Sequence, residues 1–371
     1  MKANNYIVNN EEQILFALRD LYEAYGYSQY KMVKFEEYDF YAKNKDFLVS
    51  DNIITFNDTN GKLMALKPDV TLSIIKNTKD CPDERRKVYY NENVYRVSKS
   101  SHSFKEIMQA GIECIGDIDS YIIAEILSLA VSSLKLISND SILSISNLDI
   151  LSYAIDLYTD NTAVKENLIG YVGEKNINAI EKECEENNLS KEAAKTICSI
   201  AKLHGKPSII FNELKKIIPE CNIISEFENI VNAVYPSLQD MLEIDFSYAG
   251  DIKYYNGIAF KGFVNGIPES VLSGGQYDGL MKKMGRKSGA IGFAVYLGTL
   301  ERIGEPKAKF DVDTVILYDS NADISSLGSA VKKIADTGVS VMALKSIPQK
   351  LKYKKLMKLN GKEAELIETN A

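Results

Sequence analysis

The sequence predicts an α+β fold: an antiparallel sheet flanked by helices, carrying a helical insertion and followed by a small C-terminal βαβ unit. Three observations carry this expectation. Asn60-Gly61 and Asn265-Gly266 join β-forming runs, and such dipeptides accept the positive φ angles that tight hairpin turns need. Lys87 to Val97 and Lys105 to Gly116 are two long strand-like runs separated by a polar loop containing His102. From Leu151 to about Leu242 the apolar spacing turns almost wholly helical, as an inserted block would. The expected boundaries are 1–303 for the main body, with the insertion at about 152–242, and 307–371 for a small α/β unit beyond Gly304-Glu305-Pro306.

Taken in order, Asn9 or Asn10 caps a helix whose apolar stripe is Ile14, Leu15, Leu18, Leu21, Tyr22 and Tyr25, and Gly26 stops it. Lys31 to Tyr41 reads as a strand. Ile53 to Phe56 and Lys62 to Leu66 flank Asp58-Thr59-Asn60-Gly61 and form a hairpin. Leu66-Lys67-Pro68-Asp69-Val70-Thr71 then opens a helix through Ile75, with Pro68 at its start and Asp69 and Thr71 in its first turn. In the run from Lys105 to Gly116, alternation puts Gln109, Gly111 and Glu113 on one face and Met108, Ala110, Ile112 and Cys114 on the other. Two polar side chains on a buried face are costly unless something hydrogen-bonds to them, so this face is pocket-like. Asp119 to Ile137 reads as an apolar helix and Ile142 to Leu151 as a strand.

Within the helical block, Ser190 caps a helix opening at Lys191-Glu192 and Gly205 ends it, which makes His204 a cap or surface residue rather than a ligand. Beyond the main body, Thr314 to Tyr318, Ser325 to Thr337 and Val339 to Leu344 read as strand, helix and strand. The segment from Lys345 to Lys362 holds seven lysines. It reads as a solvated helix face before the acidic Glu363, Glu365 and Glu368, with a local basic patch as the other reading.

Asp251 to Phe293 holds most of the functional information. A Tyr- and Phe-rich run from Lys253 to Val264, Asn265-Gly266 and Glu269 to Ser273 make a second hairpin. Gly274-Gly275 follows as a turn that admits close backbone approach, with Tyr277 and Asp278 beside it and Gly289 to Leu297 as a buried strand or helix start. By residue type alone, Tyr254-Tyr255 and the glycines fit either ordinary packing or a small-molecule pocket.

Composition sets the outer limits. At 371 residues the chain has room for two or three domains, and 45% hydrophobic with 26% charged residues describes a globular protein. No apolar run reaches the length of a membrane span and the N-terminus lacks a signal-peptide core, so no membrane association and a cytoplasmic location are expected. The five cysteines show no CxxC spacing and there are two histidines, which leaves no disulfide framework, zinc site or cofactor-binding pattern. A net charge of -7 argues against a protein whose main task is gripping nucleic acid.

The order YYNGIAF, SGGQYDGL and AIGFAV, together with VYRVSKSSHSFKEIMQAGIECIG, resembles the catalytic domain of histidyl-tRNA synthetases and their relatives over roughly Glu11 to Leu300. The resemblance implies a class II synthetase-like sheet in which Tyr254, Tyr255 and Tyr277 line a histidine pocket. Asp69 and Thr71 match the turn that binds the substrate ammonium, and Arg96 matches the arginine that contacts α-phosphate and carboxylate. Gln109 matches a carboxylate or amino contact, and Glu113 the imidazole contact. Lys31 to Tyr41 takes the place of the dimer-forming motif, with Val33 where a proline is usual, so a homodimer core is implied.

The departures from the synthetases concern the phosphate clamp. Gly250 and Thr299 stand where two arginines are usual, and Gln276 replaces the arginine of GGRYD; a shift of register would bring only Arg302 back. Removing one preorganised donor of this kind costs about 10²–10³ in rate. An amino-acid pocket without its ATP clamp resembles the regulatory subunits of ATP phosphoribosyltransferase. That resemblance implies a non-catalytic protein that pairs with a short catalytic subunit in the first step of histidine biosynthesis, confers feedback by histidine and binds no tRNA. A divergent histidyl-tRNA synthetase or other adenylate-forming paralogue, and a scaffold that binds no amino acid, are the competing expectations.

Overall fold

The structure, a computed structural model, describes residues 10–45, 48, 53–97, 103–247, 255–302, 310–361 and 363–370. His102, Gly250 and Tyr254, singled out above, lie outside them, as do the side chains of Asn10, Glu301 and Arg302. The chain divides into two compact units, Leu15–Arg302 and Met1–Ile14 with Ile303–Ala371.

The first half of the larger unit runs α1 (Asn10–Ala24), β1 (Ser28–Gln29), β2 (Phe35–Glu37), α2 (Tyr38–Lys43), β3 (Thr55–Asn57), β4 (Leu63–Leu66), α3 (Val70–Asn77), β5 (Arg85–Val97), β6 (Phe104–Gly116), α4 (Ser120–Ile137), β7 (Ser141–Asn147) and α5 (Leu148–Asp156). Helices α6 (Thr162–Gly173), α7 (Ile177–Glu186) and α8 (Lys191–Lys202), strand β8 (His204–Gly205), α9 (Pro207–Ile217), α10 (Asn222–Asn232) and β9 (Leu242–Asp245) make the insertion and its return. The unit closes with β10 (Asn256–Val264), β11 (Leu272–Gln276), α11 (Asp278–Lys283) and β12 (Gly289–Tyr296).

Among the described residues one large sheet has the order β1-β5-β6-β12-β11-β10-β7-β9-β8. It is antiparallel except where β1 joins β5 and β7 joins β9. A small antiparallel sheet, β2-β4-β3, stands apart from it. The back of the large sheet is closed by α1 and α4. Tyr22 of α1 lies edge-on to Phe293 of β12 at 6.1 Å and shares a hydrogen bond with Ser133 of α4, while Leu134 of α4 sits so close to Gly262 of β10 that a side chain there would collide. The opposite face is floored by small residues where β6, β12 and β11 meet.

Several elements differ from the sequence reading, each for a local reason. Lys31 to Tyr41 contains only the three residues of β2 before α2 begins. Asn147 ends β7 because its side chain accepts from the N–H groups of Asp149 and Ile150 and so caps α5, which converts the expected strand end into a helix. Pro68 is not helical: Asp69 is the N-cap of α3, accepting from Leu72 N at 2.9 Å. Gly274-Gly275 lies inside β11 rather than in a turn, paired with Phe293 and Gly292 of β12. His204 sits in β8, with Nδ1 3.2 Å from Asp245 on the neighbouring strand. The 18-residue α4 is apolar enough to pass as a membrane span, a length the sequence reading had not found; it is mostly buried and carries Glu125, which pairs with Lys87 of β5 at 2.6 Å.

In the smaller unit, β13 (Val312–Leu317), α12 (Ile324–Ala335) and β14 (Val341–Leu344) form the βαβ element, with the two strands parallel. The lysine-rich segment is not a helix. It contains β15 (Tyr353–Asn360), which runs parallel to β13 and pairs antiparallel with β16 (Glu363–Thr369), giving the order β14-β13-β15-β16. Leu356 and Leu359 are buried within β15 while its lysines are exposed, and Lys358 stands directly opposite Glu365 of β16.

Candidate functional site

The site is built on the open face of the large sheet. Cross-strand register aligns Val88 of β5, Glu113 of β6, Gly292 of β12 and Gly275 of β11 in one row. The next row holds Tyr90, Gly111 and Ala294, and the one after it Glu92, Gln109 and Tyr296. Direct neighbours in an antiparallel ladder share a face, so Glu113, Tyr90 and Gln109 all rise from this floor.

Glu113 is 2% exposed and is held at both oxygens. Thr71 Oγ1 donates to Oε1 at 2.7 Å and the Tyr277 hydroxyl donates to Oε2 at 2.6 Å. Burial pushes its carboxyl up to about 8; the two donors oppose that and the charge of Asp69 adds to it. Asp69 is also buried, and burial raises its pKa, against hydrogen bonds from the N-terminus of α3 and the nearby Arg96 guanidinium. Capping α3 thus places Asp69 and Thr71 on the rim above Glu113.

Helix α3 is fixed from below by Glu36 of β2, buried, whose carboxylate accepts from Ser73, Lys76 and Asn77. Arg96 is anchored by Nε, which donates to Pro68 O at 3.1 Å. Gln109 is 3% exposed and shares the face of Glu113, two rows along the ladder. Tyr255 lies over Gly275, whose α-carbon has no room for a methyl group because it would sit 2.7 Å from the ring. The structure therefore brings Asp69, Thr71, Glu113 and Tyr277 together, with Tyr255, Gln109 and Arg96 around them, while Tyr254 is outside the described residues. Asp278 is engaged within the fold, accepting from Ala290 N at 2.8 Å and from Asn256 Nδ2 at 3.4 Å.

The positions where a phosphate clamp was expected are engaged internally. Thr299 Oγ1 donates to Tyr296 O at 2.6 Å, and Gln276 Oε1 accepts from Ile258 N at 3.0 Å. Among the described residues no group of three His, Cys, Asp or Glu side chains is placed to hold a metal ion.

The family model described as histidyl-tRNA synthetase matches residues 6–300. A protein named ATP phosphoribosyltransferase regulatory subunit from Caldanaerobacter subterraneus subsp. tengcongensis is 30% identical over 297 residues, which cover 77% of this chain and 75% of that protein. The chain belongs to the ATP phosphoribosyltransferase regulatory subunit family, within the histidyl-tRNA synthetase group. Among solved structures, an ATP phosphoribosyltransferase regulatory subunit/histidyl-tRNA synthetase from Bacillus halodurans C superposes with a TM-score of 0.78 at 20% identity, covering 94% of this chain and 93% of that one. The ATP phosphoribosyl transferase (HisG:HisZ) complex from Thermotoga maritima superposes with a TM-score of 0.61 at 19% identity, covering 78% of this chain and 98% of that one. These likenesses show the same class II synthetase-like fold.

Two residues of this regulatory-subunit site were missed in the sequence. Tyr90 lies in the site because strand alternation places it opposite Gly111, a signal available once β5 and β6 are set in register. Gly292 is the other: a Cβ there would come 1.8 Å from Glu113 Oε2 and 2.4 Å from Ile112 O. Since a backbone carbonyl cannot yield, Gly292→Ala is expected to destabilise the protein by about 2–3 kcal/mol and displace the Glu113 carboxylate. Urea unfolding checks this, and a wild-type midpoint would contradict it.

Proposed function

We propose that this chain is a non-catalytic regulatory subunit, required for activity of ATP phosphoribosyltransferase in the first step of histidine biosynthesis, and that it senses free histidine as a feedback signal. The observation that carries the histidine reading is the convergence of Asp69, Thr71, Glu113 and Tyr277, with Gln109 buried on the same face of the sheet. Asp69 offers a carboxylate to the ligand ammonium, with Thr71 beside it. Glu113 accepts from an imidazole N–H, Tyr255 supplies an aromatic wall, and Arg96 with Gln109 receives the ligand carboxylate.

The name borne by the relatives supports the regulatory role, and the subunits named in the Thermotoga maritima complex support a separate catalytic chain as the partner. The internally engaged Thr299 and Gln276 support a protein that does not activate amino acids. No tRNA, membrane or cofactor enters this reading, and the assembly works in the cytoplasm. Calorimetry tests the ligand: histidine binds and phenylalanine, which cannot pair with the buried polar groups, does not. Absence of histidine binding, or equal binding of the two, would sink it.

The protein is further proposed to form a homodimer through the small β2-β4-β3 sheet. Val33, Phe35, Phe56 and Leu63 are exposed there, and Phe35 and Phe56 meet edge to face at 5.6 Å. Sedimentation at micromolar concentration should give a dimer, and Phe35→Glu should give a monomer. A wild-type monomer would contradict this.

A further inference from the structure

Helices α7 and α8 of the insertion, joined by the short link 187–190, leave a groove between them with a volume of about 710 Å³. None of the residues of the sheet-floor site lines it. One stripe of each helix forms it: Glu181, Cys184 and Glu185 on α7, and Lys191, Ala194, Lys195 and Cys198 on α8. Spacings of three and four keep each set on one helix face. The floor is small, made by Ala194 and the buried Cys184 and Cys198. Burial pushes the Cys184 thiol up to about 11 and raises that of Cys198 as well, so both are compact apolar lining rather than nucleophiles. The walls are exposed and of opposite sign, acidic along α7 and basic along α8. Among the described residues none of Glu181, Glu185, Lys191 and Lys195 forms an ion pair, whereas Lys182 and Glu186, which do not line the groove, pair with each other at 3.6 Å.

We propose that this groove docks a helix of the catalytic subunit. That helix carries small or apolar residues on the stripe that meets the floor, basic residues on the flank facing α7 and acidic residues on the flank facing α8. The proposal rests on the regulatory reading above and gives it a contact surface. The groove keeps its two walls beyond ion-pair reach of each other, and a helix laid between them supplies each with its counter-charge while its stripe fills the floor. The basic wall, continued to Lys202, spans about 16 Å at 1.5 Å per residue, which is room for about three turns. A nucleic acid would be drawn to the lysines and repelled by Glu181 and Glu185. A second copy, turned to bring acidic wall over basic wall, would satisfy the charges but set two small-floored grooves face to face and leave them unfilled, at a cost in packing.

The test uses the full chain and the catalytic subunit, with complex formation titrated by calorimetry. Two variants are compared with wild type: Lys191→Glu with Lys195→Glu, which reverses one wall, and Ala194→Trp, which fills the floor without changing charge. Each should lose about tenfold or more in affinity, and added salt should shrink the loss for the charge reversal and not for Ala194→Trp. Hydrogen exchange across α7 and α8 should slow in the wild-type complex, and the thermal midpoint and sedimentation of each variant alone should equal those of wild type. If Ala194→Trp lowers the midpoint, the charge reversal on exposed side chains and the exchange pattern decide. Wild-type affinity in a folded variant, or unchanged exchange across the two helices, would overturn the proposal. So would a charge reversal that alters sedimentation of the chain alone, because a second copy would then be the occupant. If wild type forms no complex with the catalytic subunit, the regulatory reading falls first and the proposal with it.

Discussion

Glu113→Ala is expected to lower histidine affinity by at least about 100-fold and to remove histidine sensitivity from the assembled enzyme. In the proposed reading Glu113 accepts from the imidazole N–H, and truncating it leaves Thr71 and Tyr277 as donors without their shared partner. A hydrogen bond to a charged group is worth about 1.5–3 kcal/mol, and a buried donor left unpaired adds a similar penalty. Glu113→Gln separates charge from shape. Because burial raises the carboxyl to about 8 from an ordinary value near 4.5, the native state holds a proton that the unfolded chain has lost between those values. Stability therefore falls as pH rises through that window, and Glu113→Gln should unfold at a higher temperature than wild type at pH 8, with the gain shrinking toward pH 5. Histidine binding to the carboxylate form releases this proton, so wild-type affinity should rise with pH up to about 8. Full histidine sensitivity in Glu113→Ala would make the pocket a relic.

The second large effect is an absence of chemistry. The purified protein is expected to show no histidine-dependent ATP–pyrophosphate exchange above background. Adenylate formation needs cationic donors preorganised around the phosphates, and each missing one costs about 10²–10³ in rate. Position 250 is glycine and position 299 threonine. The Thr299 hydroxyl is already committed to the carbonyl of Tyr296, and the Gln276 amide oxygen to Ile258. Arg96, tethered to Pro68, is one cation where the synthetases bring several. Measurable exchange would return the protein to the adenylate-forming enzymes.

What could be read in the sequence follows from how local each signal is. Asp69 and Thr71 were visible because a Pro-Asp-x-Thr turn before an apolar run signals a helix start within a few residues, although the structure moves Asp69 from the first turn to the cap. The polar face of Gln109, Gly111 and Glu113 was visible through strand alternation alone. Tyr90 and Gly292 were not, since both depend on register between strands distant in sequence. The lysine-rich segment was misread for a different reason. Leu356 is buried with Val312 and Val315 while Leu359 is buried with Ile316 and Ala330, so β15 is covered on both sides, and its buried leucines fall three apart and imitate a helical stripe. Asn147 shows the same limit at a strand end, where a cap made by one side chain outweighs the β-propensity around it.

The measurement that tests the regulatory role most directly is reconstitution with the short catalytic subunit of ATP phosphoribosyltransferase from the same cell. Phosphoribosyl transfer to ATP is followed for the catalytic subunit alone, with this chain added, and with both plus histidine. The account predicts little turnover by the catalytic subunit alone, strong turnover when this chain joins it, and inhibition of that turnover by histidine. Turnover that is unchanged by adding this chain, with no complex formed between the two, would contradict it.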